Sequence, residues 1–405
     1  MCGVLALIYP KGCSPSSRQL ERIVNRMSHR GPDGMGVKIN GEIGFAHRRL
    51  AVIDILDATQ PMVLPSGIKV TFNGEIYNFR ELRSTLVGCG HSFKHDSDTE
   101  VLLHAAEQWG PDCLNRLEGM FSLVVDDPIR GITWAARDRM GQKPLFAFDK
   151  RFFADIEHGF VSELKCILPE QNCNRVVSPN AVSRFLAYDF MPDSDGFFVG
   201  VQKVAPGELW IIDRDNLSKK PIRKKWYNLP FGRLDKVNKH QAIEQLDEQL
   251  DIATQRCMVA DVPLGIFLSG GIDSSLITAY ACRHINPNSL KTFSIGFNNP
   301  AFDESIYAQN VANHLGTKHH NLTVDSSDLL NIVPRILSAQ DEPFADPSII
   351  PTAILSRFAR EEVTVALSGD GGDELFLGYP TFIAENILSY FSWVPPEVFS
   401  NLANF

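Results

Sequence analysis

The stretch Leu268-Ser269-Gly270-Gly271-Ile272-Asp273-Ser274-Ser275 joins an apolar segment, Gly265–Leu268, to a helical one, Asp273–Cys282. A strand that ends in a glycine- and serine-rich turn and continues at once as a helix is half of a crossover unit. The order recurs: Thr292–Gly296 runs into Asp303–Leu315, and Val363–Leu367 runs into Asp373. Alternation of this kind predicts a parallel sheet with helices on both faces. An amphipathic helix from Lys239 to about Cys257 leads into it.

The first half of the chain has a different texture. Val4–Ile8, Ile43–Ala46, Val70–Phe72, Phe121–Val125 and Ile132–Ala135 are short and mostly β-rich, and Asp127-Pro128 with Arg130-Gly131 separates the last two as a hairpin turn would. Helices interrupt them. Arg18–Met27 carries Leu20, Ile23, Val24 and Met27 at helical spacing behind a capping Ser16 or Ser17, and Thr99–Trp109 is closed by Gly110-Pro111. This pattern fits antiparallel sheets with helices packed outside. After Trp210–Asp213 comes a segment rich in Arg and Lys (Arg214, Lys219, Lys220, Arg223, Lys224, Lys225), which reads as a solvated linker or as a last strand and turn. The resulting division is an α+β domain over residues 2–213, a linker at 214–238 and an α/β domain from 239 to 405.

Composition narrows the class of partner. Of 405 residues, 44% are hydrophobic and 21% charged, an ordinary globular balance, and acids exceed Lys plus Arg by nine. A mildly acidic surface does not attract a phosphate backbone, so nucleic acid is not expected as a partner. The eight cysteines are scattered without a C-x-x-C pair, which argues against a disulfide framework or zinc ribbon and for reduced thiols in the cytoplasm. No run approaches the roughly 20 apolar residues of a membrane span, and Val4–Tyr9 is too short and lacks the preceding basic residues of a signal peptide. The histidines, His319-His320 included, show no metal-ligand spacing and read as solvent-facing or structural.

Met1-Cys2-Gly3 opens the chain. Once Met1 is removed, Cys2 carries both a thiol and a free α-amine, and an α-amine titrating near about 7.7–8.0 can act as base for its own thiol. Four further segments accompany it: His29-Arg30-Gly31-Pro32-Asp33, the run from Ala46 to Asp54, Phe72-Asn73-Gly74-Glu75-Ile76-Tyr77-Asn78 and Asp96-Ser97-Asp98-Thr99-Glu100. Taken singly, each reads as a turn or a surface ion pair. Taken together they supply what a thiolate attacking an amide needs. Asn73 and the Gly74 N–H can form an oxyanion hole, Arg49 suits an α-carboxylate, and Glu75 and Asp98 suit an α-ammonium.

The Ser269–Ser275 loop suits a different ligand. Backbone N–H groups at Leu268, Ser269, Gly270, Gly271, Ser274 and Ser275, helped by a helix N-terminus, can hold phosphate or pyrophosphate, and Asp273 can hold Mg²⁺ beside it. The loop is not G-x-x-x-x-G-K-[ST], which occurs nowhere in the chain. A second Gly/Asp loop, Leu367-Ser368-Gly369-Asp370-Gly371-Gly372-Asp373, follows another strand. Parallel strands deliver both loops to the carboxyl edge of the sheet, where ligands bind in such folds. Asp373 would join Asp273 on the metal, Ser368 and Gly369 would line the nucleotide, and the Ile295 backbone would face the adenine.

The first of these constellations resembles the N-terminal-nucleophile glutaminase domain of class II amidotransferases, and the second the pyrophosphate-binding loop of enzymes that split ATP to AMP and pyrophosphate. In this order they resemble the glutamine-hydrolysing asparagine synthetase family. The resemblance implies helix-flanked antiparallel sheets followed by an adenine nucleotide alpha hydrolase-like domain. It also implies that Arg49, Leu50, Ala51, Val52, Ile53, Asn73, Gly74, Glu75 and Asp98 bind glutamine, with attack by Cys2. The ammonia would pass internally to the second site, and ATP with Mg²⁺ would activate the β-carboxylate of aspartate. Asp370 would serve there as acid/base, where the family often carries Glu. That variant and Asp341-Glu342-Pro343 resemble a subgroup associated with surface polysaccharides, so another acceptor such as a sugar acid stays open, as do a homodimer and a non-catalytic remnant. Family members run on past residue 405. The apolar, uncharged residues 398–405 read as a helix face awaiting a partner, in keeping with a truncated second domain.

Overall fold

The computed structural model of the chain describes residues 1–192, 196–230, 237–301 and 303–390. Residues 398–405 lie outside the described residues. The chain divides into two compact units: one holds residues 1–245, 259–263 and 329–354, and the other holds 246–258, 264–328 and the residues from 355 onward.

In the first unit β1 (Gly3–Ile8), β2 (Gly34–Asn40), β3 (Ile43–Arg49), β8 (Phe146–Asp149), β9 (His158–Val161) and β10 (Val201–Lys203) form one antiparallel sheet, in the order β10-β8-β9-β1-β3-β2. A second antiparallel sheet contains β4 (Met62–Val63), β5 (Lys69–Ile76), β6 (Gly119–Asp127), β7 (Ile132–Arg137), β11 (Glu208–Asp213) and β12 (Ile222–Lys225), in the order β12-β11-β7-β6-β5-β4. The reason the sheets stack is visible in β1, every residue of which is buried. Side chains alternate across a strand. Val4, Ala6 and Ile8 therefore enter one core with Val124, Ala135 and Trp210 of the second sheet, while Leu5 and Leu7 enter another with Leu20, Ile23 and Val24 of α1 (Ser17–Asn25). On the second sheet, Leu123 and Val125 of β6 pack with Leu82 and Leu86 of α2 (Phe79–Gly88) and Val101 and Leu102 of α3 (Asp98–Trp109). The layers run helix, sheet, sheet, helix, as the strand-and-helix pattern predicts.

One local expectation needs correction. Ser16 occupies the N-cap of α1, but among the described residues its side chain makes no capping hydrogen bond. Of the two readings of the basic segment after residue 213, the structure shows the last strand and turn, with most of its basic side chains exposed. Ile222–Lys225 is β12, paired to β11; Arg214 lies 2.7 Å from the buried Asp126 carboxylate, and Arg223 pairs with Glu208 at 2.8 Å while lying over the Trp210 ring. Lys69 completes the Asp126 pair from the other side at 2.9 Å. A buried carboxylate such as Asp126 needs such partners.

His47 on β3 is fully buried. Its Nδ1 lies 3.1 Å from the Thr71 hydroxyl, and its Nε2 has no partner among the described residues. Burial, with a smaller push from the Arg49 charge, lowers its imidazole to about 3. The unfolded chain takes up this proton first, so the stability from a neutral His47 is present above the unfolded value of about 6.5 and is lost as pH falls toward 3. Between pH 8 and pH 5 this one group removes about 2 kcal/mol. In His47→Leu the stability difference between those two pH values shrinks by that amount, measured by urea unfolding. An unchanged difference would refute the assignment.

In the second unit, β13 (Leu264–Phe267), β14 (Lys291–Phe297), β15 (Lys318–Val324) and β16 (Val365–Leu367) form a sheet in the order β15-β14-β13-β16, every pairing parallel. The helices of this part of the chain are α5 (Lys239–Cys257), α6 (Ile272–His284), α7 (Ser305–Leu315), α9 (Ile349–Arg360), α10 (Gly372–Phe376) and α11 (Pro380–Ser389), with α4 (Pro179–Tyr188) and α8 (Ser326–Ala339) elsewhere in the fold. β15 is absent from the sequence reading. Lys318-His319-His320-Asn321 is too polar for an apolar alternation, but as an edge strand it needs only one neighbour. His319 is structural there, between the Thr292 hydroxyl at 2.9 Å and the Ser294 hydroxyl at 3.1 Å.

Candidate active sites

The first site is built around the start of β1. Cys2 Sγ lies 3.4 Å from the Leu50 N–H and 3.6 Å from its carbonyl oxygen, which binds the residue after β3 to the thiol. Burial pushes the thiol above its ordinary range, with the Leu50 N–H acting against that push. Two residues of the 29–33 segment, missing from the set of site residues drawn from sequence, hold this geometry. Arg30 is buried, donates to the Cys2 carbonyl at 2.8 Å and pairs with Glu163 at 2.9 Å. Asp33 accepts from the Ala51 N–H at 2.9 Å. Gly31 allows this closeness, since a Cβ there would lie 2.3 Å from the Arg48 backbone.

The register of β5 against β6 explains the second part of the site. Gly74 stands opposite Phe121, whose N–H is directed instead to the Asp138 carboxylate at 3.0 Å. In an antiparallel ladder such a pair turns its backbone groups outward. The alternate N–H groups of β5 accordingly leave the sheet on one edge: Phe72 donates to Gln60 Oε1 at 2.8 Å and Ile76 to Asp98 Oδ2 at 3.0 Å. The Gly74 N–H lies on that same edge between them. Beside it Asn73 is 1% exposed, and its Nδ2 is buried with no hydrogen-bond partner among the described residues. An unpaired buried amide costs about 1–3 kcal/mol, a strain that an anionic ligand oxygen would relieve.

Glu75 and Asp98 form the third part. Burial and the neighbouring Asp98 charge raise Glu75 well above the carboxylate range, and burial raises Asp98 to about 6. The cations that act on Glu75 include Arg49 and Lys143. Lys143 is itself buried and pushed down by that burial, on a loop fixed by Asp138, which accepts from the N–H groups of Met140, Gln142 and Lys143. No periodicity marks Lys143 in the sequence. Arg49 is engaged locally: its guanidinium donates to the carbonyls of Ile53 (3.1 Å), Asp54 and Ile55 (3.0 Å). The Val52 carbonyl accepts from Asp261 N–H, and the side chains of Val52 and Ile53 pack with the core beside the second sheet. Of the run from Leu50 to Ile53, the Leu50 backbone is the part in contact with the Cys2 thiol.

The second unit carries the other constellation. The loop between β13 and α6 is tied by its own serines: Ser269 Oγ lies 3.0 Å from Ser274 Oγ and accepts from the Gly271 N–H at 3.2 Å. Gly270 has φ of +84°, and a Cβ there would lie 2.5 Å from the backbone of Tyr307 and Ala308 on α7. Leu268 is core, with Ala308 and Ala312, so its side chain is not available to a ligand. Ser275 Oγ is buried without a partner among the described residues.

The loop after β16 closes on this one. A Cβ on Gly372 would lie 2.6 Å from the Asp273 carboxylate, and one on Gly369 would lie 2.7 Å from the Ser274 nitrogen. The strand order thus brings Asp273 and the residue before Asp373 together. Neither aspartate carboxylate has a hydrogen-bond partner among the described residues. Ser368 holds Asp370, hydroxyl to carboxylate, at 2.8 Å. Ile295 lies on β14, opposite Leu322 of β15. The Asp341-Glu342 pair belongs to the first unit: Asp341 accepts from Lys165 N–H at 2.8 Å, and Glu342 accepts from Phe197 N–H at 3.1 Å and pairs with Lys203 at 2.9 Å.

Residues 1–227, which hold the two stacked antiparallel sheets, match the family model of the glutamine amidotransferase domain, and residues 245–404 match that of asparagine synthase. The chain is 33% identical over 402 residues to asparagine synthetase [glutamine-hydrolyzing] 1 of Bacillus subtilis (strain 168), covering 98% of this chain and 61% of that protein. It is 32% identical over 418 residues to a putative asparagine synthetase of Mycobacterium tuberculosis, covering 98% and 63%. With the putative asparagine synthetase 2 of Methanocaldococcus jannaschii the identity is 33% over 406 residues, covering 95% and 76%. The chain belongs to the glutamine-hydrolysing asparagine synthetase family, and it spans 61–63% of the length of the first two of these relatives. Among solved structures, the glutamine phosphoribosylpyrophosphate amidotransferase of B. subtilis aligns with a TM-score of 0.39 and 18% identity, covering 79% of this chain and 65% of that one, too loosely to bear on function. No helix among the described residues is long and apolar enough to cross a membrane.

Proposed function

We propose that the protein makes asparagine from aspartate, with glutamine as nitrogen donor and ATP cleaved to AMP and pyrophosphate. The observation that carries the glutaminase half is the unpaired Asn73 amide beside the outward Gly74 N–H on β5, the strand whose Glu75 charge acts on Cys2. Removal of Met1 converts the Cys2 nitrogen from a peptide amide to a free amine. That amine takes the thiol proton, and Sγ attacks the side-chain amide carbon of glutamine. Asn73 Nδ2 and the Gly74 N–H donate to the oxygen that becomes negative. Collapse expels ammonia, the leaving nitrogen taking the proton back from the amine. Water then cleaves the thioester to glutamate. Glu75 and Asp98 are raised by burial, and Glu75 also by the Asp98 charge, in spite of the Arg49 and Lys143 cations that act on Glu75, so the α-ammonium of glutamine would find a favourable place beside them.

For the second half, the serine-tied loop before α6 offers backbone donors to pyrophosphate. The hydrogen-bond-free carboxylates of Asp273 and Asp373 fit Mg²⁺, which takes hard oxygen ligands beside phosphates and would neutralise charge there. Asp370, whose carboxylate accepts from the Ser368 hydroxyl, would manage a proton near the acceptor. Incubating the purified protein with glutamine, aspartate, ATP and Mg²⁺ and resolving all products by mass spectrometry tests the whole scheme. The expected products are glutamate, asparagine, AMP and pyrophosphate, and Asp273→Asn loses the last three while keeping glutamate. AMP that appears only when a sugar acid replaces aspartate would reassign the acceptor, and absence of glutamate would overturn the reading.

A further inference from the structure

We propose that His91, His104 and Glu107 form a zinc-type divalent metal site on the first unit. His104 and Glu107 lie one turn apart on α3, and His91 follows the end of α2. Nδ1 of His91 and Nδ1 of His104 are 3.0 Å apart, and one Glu107 carboxylate oxygen lies 3.4 Å from each. Tetrahedral coordination with bonds of roughly 2.0–2.1 Å separates neighbouring ligand atoms by about 3.3 Å. The three atoms therefore already stand as three corners of such a polyhedron.

The neighbours orient these atoms for the task. Nε2 of His91 is 2.9 Å from Oε1 of Gln108, an oxygen that only accepts, so the ring proton of neutral His91 sits on Nε2 and a lone pair remains at Nδ1. An outer partner of this kind commonly fixes a metal-bound imidazole. His104 is 7% exposed, with its ring held 4.7 Å from the Phe93 ring. The side chains of His91 and Glu107 are 12% and 23% exposed, so an ion can enter from solvent and a water can complete the shell. Two imidazoles and one carboxylate favour zinc or cobalt over the hard cations Mg²⁺ and Ca²⁺. An ion here would staple the segment after α2 to α3, the helix whose first residue is Asp98. The ligands lie 13 and 3 residues apart, so only the packing of α2 on α3 assembles them.

The test is a Co²⁺ titration of the intact protein, first stripped with chelator and held in excess Mg²⁺ to occupy carboxylate sites. The expected result is saturation of tetrahedral visible bands at one equivalent, displaced by Zn²⁺. His91→Gln and Glu107→Gln each weaken Co²⁺ and Zn²⁺ by at least about tenfold, and Gln108→Leu weakens them with all three ligands intact. Thermal unfolding of the metal-free variants confirms that they are folded. Bands of thiolate character that persist in the variants, or no saturable bands, would overturn the site and leave an imidazole pair sharing a proton.

Discussion

On the proposed reading, glutamate release from glutamine is expected to fall by about 10⁴-fold in Cys2→Ala, because the Cys2 thiol is the group assigned to form the acyl intermediate. Every donor around it survives the change: the Leu50 N–H, the Asn73 amide and the Arg30 contact to the residue 2 carbonyl are made by other side chains or by backbone. Glutamine binding is therefore retained, and the variant separates chemistry from recognition. A second protein form makes the same point about the base. In chains that keep Met1, the amino group is displaced by one residue, donates to the Arg30 carbonyl at 3.2 Å, and is lowered to about 6 by burial. Such chains are inactive toward glutamine despite an intact thiol. The comparison is made by enzymatic assay of glutamate on protein of known N-terminal mass. Unimpaired release from Cys2→Ala would refute the nucleophile, and unimpaired release from Met1-retaining protein would refute the amine as base.

How much of this was legible in sequence depends on the kind of signal. β1, β6 and β7 announced themselves because both faces are buried and few polar residues interrupt them. β15 did not, since Lys318, His319 and Asn321 give an edge strand the look of a loop. The candidate residues of the first site are legible as types: a thiol after Met1, an Asn-Gly pair, two acids. Their supports are not. Arg30 acts by reaching across the site, and its partner Glu163 lies far along the chain, on the residue before a short helical turn. Lys143 owes its place to four backbone-directed bonds of Asp138, which no spacing encodes. Arg49 is legible as a residue type suited to a carboxylate, but its bracing of the carbonyls that follow it is not written in any spacing. The metal-type cluster at His91 escaped for the same reason as Arg30, because tertiary packing rather than sequence distance brings its members together.

Gly74→Ala is expected to damage both stability and hydrolysis, and its failure would be instructive. A Cβ at residue 74 would lie 2.0 Å from the Met120 carbonyl oxygen and 2.7 Å from the Phe121 Cα. These are backbone atoms of the neighbouring strand, so no side-chain rotation relieves the clash. The pair Gly74 and Phe121 faces each other without shared hydrogen bonds, the arrangement in which opposed residues come closest. Relief requires β5 to move off β6, which carries the Asn73 amide and the residue 74 N–H away from the Cys2 thiol. The cost is about 3 kcal/mol of stability, from overpacking against a rigid strand, and about 100-fold in hydrolysis as the oxyanion donors lose register. Gly88→Ala is the control, since a Cβ at the end of α2 meets nothing within 4 Å. It leaves both quantities near wild type. Urea unfolding and glutamate release, the latter measured well below the unfolding midpoint, read the two effects separately. If Gly74→Ala loses stability but keeps full activity, the residue 74 N–H is not an oxyanion donor and the Asn73 amide acts alone. If it loses neither, the close strand contact that defines the site is wrong.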